Sequence, residues 1–164
     1  MVIVDNNILS TFAKIDEIDL FFDIFKNQDI GVTSAVYQEF KHGLELGHSF
    51  LEKILTLIEK KTIKLVPLTE KELLSKSKLP TSFDKGESES VIISKMRHYK
   101  LVTNEKIVKN YCQKHNINFI DLPGMLRFLW KKNLLSKNRV KELVVKIECQ
   151  DNIIFKSKEK IFTE

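Results

Sequence analysis

Acidic residues follow or interrupt short apolar runs at several places in this sequence of 164 residues. Asp5 ends the run MVIVD, and Glu105 comes just after the run KLVT. Glu39 and Glu89 lie among apolar residues at helical spacing, where a carboxylate is costly to desolvate unless a positive charge meets it. Oxygen ligands with no histidine or cysteine nearby suit Mg²⁺ or Mn²⁺ rather than Zn²⁺. These residues therefore indicate a site for a hard divalent cation.

Each of these acids also has a simpler structural explanation. Asp5 or Asn6 can cap a helix that begins near Asn7, and Glu105 in the first turn of a helix suits the helix dipole. Glu39 can reach water from the margin of its apolar stripe. Carboxylates that cluster repel one another and raise each other's pKa, and a divalent cation offsets that cost. The recurrence of such an acid in four separate segments favours a shared cation.

The segment FDKGESESVIISKM carries three acids close together. Asp84 followed by Glu87 predicts a capping box at the start of a helix. Glu89 precedes Ile92 and Met96 by three and seven residues, which places it on the buried face of the same helix. No comparable structural role is evident for Glu89, so we prefer it to Glu87 as the functional acid. The choice between the two glutamates stays open.

Five short apolar runs alternate with longer helical patterns along the chain. Strands that are covered on both faces are mainly apolar, and strands separated by helices favour right-handed crossovers. We therefore predict an α/β three-layer sandwich with a central, mostly parallel sheet. The predicted strands lie at 1–5, 29–32, 62–68, 100–103 and 117–122. The predicted helices lie at 7–13, 16–26, 34–45, 48–60, 69–77, 86–98, 105–115, 123–132 and 136–148.

This architecture determines where the acids should meet. Ligands of open parallel sheets bind beyond the carboxyl ends of the strands, where Asp5 and Glu105 are expected. Thr33 or Ser34 is predicted to cap the helix that carries Glu39.

Length and composition are those of a single domain. We expect one domain over residues 1–150 and a tail, 151–164, that docks on it. The apolar runs fall far short of the roughly 20 residues that a bilayer span needs, and the amino terminus does not resemble a secretory signal. A cytoplasmic protein with no membrane contact is therefore expected. Cys112 and Cys149 lack CxxC partners, so neither a zinc knuckle nor a disulfide framework is predicted.

Positive charge is concentrated in one part of the sequence. Residues 1–94 hold 11 Lys and Arg against 15 Asp and Glu, whereas residues 95–146 hold 13 against 3. Such a division fits a protein that attracts a polyanion to one region and keeps carboxylates in another, although lysines also solubilise helix faces. The cations selected as polyanion-binding candidates are Lys95, Arg97, Lys106, Lys109, Arg127 and Lys131.

Four motifs, in their order along the chain, resemble those of PIN-domain nucleases, and of VapC-type toxin ribonucleases in particular. They are VIVDNNIL, TSAVYQEF, GESESVIIS and LVTNEKIVKNYCQKHNINFIDLPGMLRFLWKKNLL. Together they span about residues 1–135. The resemblance implies a metal-dependent, RNA-cleaving fold with a central parallel sheet and an acidic pocket.

The resemblance also implies roles for single residues. Asp5, Glu39 and Glu89 match the first three acids of the family, which hold the metal. The fourth acid falls in TNEK, where relatives usually have TND or TDD, and here Asn104 and the longer Glu105 stand instead. The implied catalytic set is thus Asp5, Glu39, Glu89 and Glu105. The residues implied to line the pocket are Asn6, Ser34, Thr103 and Asn104.

The expected function is hydrolysis of RNA phosphodiester bonds by an endoribonuclease that uses Mg²⁺ or Mn²⁺ and leaves a 5′ phosphate and a 3′ hydroxyl. The resemblance further implies a homodimer and a toxin held in check by a cognate antitoxin protein. A catalytically weak or inactive PIN-fold RNA-binding module stays open as the alternative, because the fourth acid position is altered.

Overall fold

Five short strands form one parallel sheet at the centre of the molecule. The structure is a computed structural model that describes residues 1–163. The strands are β1 (Val2–Val4), β2 (Ile30–Thr33), β3 (Ile63–Val66), β4 (Lys100–Val102) and β5 (Phe119–Ile120). Their order across the sheet is β3-β2-β1-β4-β5, and every neighbouring pair is parallel.

Helices connect the strands and cover both faces of the sheet. They are α1 (Asn6–Lys14), α2 (Ile18–Ile24), α3 (Ser34–Glu45), α4 (Leu51–Glu59), α5 (Glu70–Lys76), α6 (Lys85–Arg97), α7 (Lys106–Lys114), α8 (Leu122–Lys131), α9 (Lys137–Asp151) and α10 (Glu159–Phe162). Among residues 1–163, no helix combines the length and the apolar character that crossing a membrane requires.

The two faces of the sheet bury different sets of side chains. Val2 and Val4 of β1 belong to one apolar cluster and Ile3 to the other, because successive side chains of a strand point to opposite faces. The first cluster packs under α1 to α4, α8 and α9, and the second packs under α6 and α7. The sheet is therefore the middle layer of three.

The predicted α/β class is confirmed, with a sheet that is parallel throughout. Each predicted strand occurs: β2 keeps its predicted length and is shifted by one residue, and the other four strands are shorter than the apolar runs suggested. β3 stops before Pro67, which has no backbone N–H to continue the ladder. The apolar runs therefore located the strands, because strands buried on both faces are mainly apolar, although Lys64 and Leu65 of β3 are exposed.

The end of the chain packs against α8. The indole Nε1 of Trp130 donates a hydrogen bond of 2.7 Å to the carbonyl oxygen of Ile161, which is itself buried in the first cluster. α9 continues to Asp151, whose carboxylate accepts hydrogen bonds from Thr11 and Lys14 of α1. The division into a domain at 1–150 and a tail at 151–164 stays a prediction, and residue 164 lies outside the described residues.

An ion pair between Glu72 and Arg97 joins α5 to α6. The guanidinium donates two hydrogen bonds of 2.6 and 2.7 Å to the carboxylate oxygens, and a third of 2.9 Å to the carbonyl oxygen of Pro67. Glu72 is only 2% exposed, and its hydrogen bonds with Arg97 lower the pKa of Glu72 to about 2. Nε and Nη2 of Arg97 therefore hold α6 in place, and the role of Arg97 in RNA binding stays a prediction.

Replacing Arg97 with Met should destabilise the fold by about 3 kcal/mol, because the buried Glu72 carboxylate would lose its partner. Urea unfolding at pH 7 measures this loss. A double variant, Glu72→Met with Arg97→Met, should recover much of the stability, since it removes both charges. A single variant as stable as the parent protein would show that the pair does not secure α6.

Candidate active site at the carboxyl edge of the sheet

Asp5 lies directly after β1 and caps α1. Its Oδ1 accepts a hydrogen bond of 2.8 Å from the backbone N–H of Asn6, and its Oδ2 accepts one of 3.0 Å from the hydroxyl of Thr103. The pKa of Asp5 is raised to about 7, mainly by burial; the carboxylates of Glu39 and Asp84 contribute to the rise, and the two hydrogen bonds oppose it. A buried acid with so perturbed a pKa is a candidate for function rather than for capping alone.

Glu39 comes from α3 and meets the start of α1. The side-chain amide of Asn6 donates a hydrogen bond of 3.0 Å to Glu39 Oε2. Burial raises the pKa of Glu39, and the carboxylates of Asp84, Glu87 and Glu89 add to the rise. The charge of Asp84 thus raises the pKa of both Asp5 and Glu39, and the charge of Glu39 also raises that of Asp5.

Gly86, in the first turn of α6, leaves the space that Glu39 occupies. A β-carbon at residue 86 would lie 2.4 Å from Glu39 Oε1 and 3.2 Å from Cγ2 of Val36. The missing side chain thus allows α6 to approach α3 with a carboxylate between them.

Glu89 connects three helices. Its Oε2 accepts a hydrogen bond of 2.9 Å from the backbone N–H of Ala35 in the first turn of α3, and its Oε1 lies 3.7 Å from Nζ of Lys76 in α5. The side chain is buried, as its helical spacing indicated. The view that Glu89 lacks a structural role is wrong, since it satisfies an N–H group that the helix leaves unpaired. Its role as a metal ligand stays a prediction.

Asp84 and Glu87 form the predicted capping box at the start of α6. The backbone N–H of Glu87 donates to Asp84 Oδ1 at 2.7 Å, and the backbone N–H of Asp84 donates to Glu87 Oε2 at 2.9 Å. Burial raises the pKa of Glu87, and the carboxylates of Asp84 and Glu105 raise it further. Asp84 was not among the predicted site residues, although its charge affects several of them. The sequence signal that could have identified Asp84 is its place just before the motif GESES.

The fourth acid position is held by contacts with α1. The side-chain amide of Asn7 donates a hydrogen bond to Glu105 Oε1. The backbone N–H of Glu105 donates to Thr103 Oγ1 at 3.2 Å, and the same hydroxyl donates to Asp5. Thr103 therefore links the first and fourth acid positions, while Asn104 is half-exposed between them.

Ser34 is the first residue of α3 and is half-buried. The cap of this helix is Thr33, whose Oγ1 accepts a hydrogen bond of 3.2 Å from the backbone N–H of Val36. The sequence left Thr33 and Ser34 open as caps, and the structure selects Thr33. The pocket-lining role of Ser34 stays a prediction.

Two predicted RNA-binding lysines lie on α7, which follows the fourth acid position. Lys106 is exposed in the first turn of the helix. Lys109 pairs with Asp121 through a contact of 2.9 Å between Nζ and Oδ2. Lys106 is therefore the more available of the two for a bound anion.

The other predicted cations lie near aromatic rings or within α8. Lys95 Nζ is 5.8 Å from the ring centre of Tyr111, and Lys131 Nζ is 5.6 Å from that of Trp130. Arg127 is half-buried in α8. The role of Lys95, Arg127 and Lys131 in RNA binding stays a prediction.

A family model described as a PIN domain matches residues 1–159. The chain belongs to the PIN-domain family. No curated protein matches it. The predicted family is confirmed. PIN domains are generally nucleases.

PIN nucleases typically use divalent metals. The acids supply hard oxygen ligands, and a cation would relieve the repulsion that raises their pKa values. However, residues 1–163 contain no group of three or more His, Cys, Asp or Glu side chains placed to hold a metal ion. The predicted ligands Asp5, Glu39 and Glu89 do not form such a group.

The metal-free PIN domain should lose stability as the pH rises from 5 to 8. Asp5 has a pKa of about 7 in the folded state against 3.8 as a reference, so the folded state holds the proton more tightly and loses this advantage as the pH rises through 7. Urea unfolding in EDTA should show a loss of about 3 kcal/mol from this group over that range.

The variant Asp5→Asn isolates the contribution, because it keeps a capping side chain but cannot titrate. Its stability should fall less between pH 5 and 8 than that of the parent protein. Equal pH dependence in the two proteins would show that Asp5 keeps an ordinary pKa.

Proposed function

We propose that this PIN domain is an endoribonuclease that hydrolyses RNA phosphodiester bonds with the help of Mg²⁺ or Mn²⁺. The observation that carries the proposal is the crowding of acids from separate segments at one edge of the sheet, around Asp5 and Glu39. Their mutual repulsion opposes folding, and a bound cation would offset that repulsion because it attracts each carboxylate. Membership of a nuclease family supports the same chemistry.

The proposed metal ligands are Asp5 and Glu39, with Glu89 or Glu87 as the third. Both oxygens of Glu89 already have partners, Ala35 and Lys76, whereas Glu87 keeps one oxygen outside the capping box. The contacts therefore favour Glu87 over the glutamate that the sequence favoured. A bound Mg²⁺ or Mn²⁺ would neutralise the phosphate and lower the pKa of a bound water.

Other residues of the pocket orient the acids and handle protons. The hydroxyl of Thr103 fixes Asp5, and the amide of Asn6 fixes Glu39. These bonds hold the carboxylates toward the carboxyl edge without adding charge. If Glu89 is the third ligand, the free oxygen of Glu87 is left to accept a proton, and the raised pKa of Glu87 favours that role. Glu105, held by Asn7, completes the proposed catalytic set.

RNA is proposed as the substrate because the motifs resemble those of ribonucleases and because basic side chains adjoin the acids. Lys106 lies in the turn that follows Glu105, and a lysine so close to the pocket can neutralise a neighbouring phosphate. The finer proposal, a toxin with a cognate antitoxin and a homodimeric assembly, rests on the resemblance to VapC-type toxins. A neighbouring gene for a small DNA-binding protein would support it.

A PIN-fold module that binds RNA without cutting it is the second candidate. One specific observation favours it: the acids of residues 1–163 form no ready-made group of three metal ligands. The longer Glu105 at the fourth acid position favours it as well. This candidate predicts salt-dependent RNA binding with little affinity for Mn²⁺.

Purified protein should cut single-stranded RNA in the presence of Mn²⁺ and not in EDTA. Asp5→Asn should reduce the rate about 100-fold or more, because it removes a charged ligand. Asp19→Asn is the matched control, since this acid is exposed in α2 and should leave the rate unchanged. Cutting that persists in EDTA and in Asp5→Asn would overturn the proposal. RNA binding without any cutting would establish the second candidate.

The variants Glu87→Gln and Glu89→Gln separate the two candidate third ligands. Glu87→Gln should abolish cutting with little loss of stability, because glutamine can still accept the capping hydrogen bond. Glu89→Gln should keep measurable cutting, since its role is to join α3, α5 and α6. RNA cleavage assays and thermal unfolding measure the two effects. The opposite pattern of activity would restore Glu89 as the ligand.

A further inference from the structure

The segment after α9 forms one wall of a basic cleft. The cleft has a volume of about 510 Å³, and its opposite wall comes from the start of α7 and the end of β5. Its principal lining side chains are Lys106, Lys109, Ile153, Phe155, Lys156 and Lys160. The tail thus contributes two lysines that the charge pattern of residues 95–146 did not include.

A smaller cavity adjoins the basic cleft. This second cavity, of about 220 Å³, is lined by Asn7, Glu105 and Asp151 among others. Asn104 and Ile153 line both cavities, so the two spaces lie side by side at these residues. The lysines of the tail therefore lie near the fourth acid position.

The lysines of the cleft differ in their availability. Lys109 is engaged with Asp121, which leaves that pair with no net charge. Within residues 1–163, no carboxylate forms an ion pair with Lys106, Lys156 or Lys160. These three ammonium groups are exposed and give the cleft a net positive charge, so the cleft favours an anionic chain.

The cleft also offers an apolar surface between its charges. Phe155 and Ile153 are half-buried and line the cavity. Proteins that bind single strands combine cations along the backbone with an aromatic ring on which a base can stack. A duplex hides its bases, so this combination selects an unpaired strand.

We infer that a single strand of RNA lies in the cleft formed by Lys106, Phe155, Lys156 and Lys160 and reaches Glu105, at the fourth acid position, past Asn104. This inference rests on the proposed function, because it supplies the path by which the substrate of that site arrives. Lys156 and Lys160 bind phosphates, and Phe155 contacts a base. The tail is therefore part of the substrate-binding surface.

The test measures RNA binding in EDTA, so that cutting plays no part. Fluorescence anisotropy of a labelled single-stranded RNA is recorded over a range of salt concentrations for the full chain. The double variant Lys156→Gln with Lys160→Gln should bind about 20-fold more weakly near 0.1 M salt, and the slope of log affinity against log salt should fall by about 1.4. Phe155→Leu should weaken binding without changing the slope, because it removes no charge.

The matched control is Lys26→Gln with Lys60→Gln. Both lysines are exposed and precede β2 and β3, at the amino edge of the sheet, so this variant removes the same charge far from the cleft. It should lower the affinity much less than the tail variant does. Equal losses in the two double variants would show that only the overall charge matters and would overturn the inference.

The outcomes also separate this inference from the proposed function. If the parent protein cuts RNA and the tail variant binds like the control, the path is wrong and the nuclease stands. If the parent protein neither binds nor cuts RNA, the proposed function fails and the path fails with it. Thermal unfolding of each variant confirms that lost binding does not reflect lost structure.

Discussion

The placement of several carboxylates in a poorly solvated space is the constraint on which the rest of this structure depends. Asp5 is almost fully buried, and Glu39 and Glu87 are partly so, yet each lies close enough to other acids for its pKa to rise. Burial and like charge both disfavour the ionised forms. The fold tolerates this arrangement because two well-packed apolar clusters hold the sheet on both faces.

The starts of helices provide most of the support for these acids. Asp5 caps α1, Asp84 and Glu87 cap α6, and Glu89 satisfies an N–H group of α3. A helix start presents unpaired N–H groups and a partial positive charge, both of which favour a carboxylate. The capping and functional explanations of these acids are therefore compatible. The unpaired N–H groups at the start of a helix are capped by the carboxylate and also fix the orientation of that carboxylate.

The sequence predicted the features that depend on local patterns and missed those that depend on how distant segments pack. Apolar runs located the five strands, and the spacing of Asp84 and Glu87 predicted their capping box. The partner of Arg97 is 25 residues away in sequence, and that of Glu89 is 54 residues away. No periodicity within one helix could reveal such contacts. The parallel sheet could be predicted from the sequence. Which carboxylate oxygens remain without a hydrogen-bond partner could not.

Gly86 gives the pocket an unusual dependence on a residue without a functional group. A side chain there would meet the Glu39 carboxylate, which is the flexible end of its own side chain, and also Cγ2 of the buried Val36. A larger residue at 86 would therefore move Glu39 away from Asn6 and press on the packing between α3 and α6. Position 86 thus ties the geometry of the acidic pocket to the close approach of two helices.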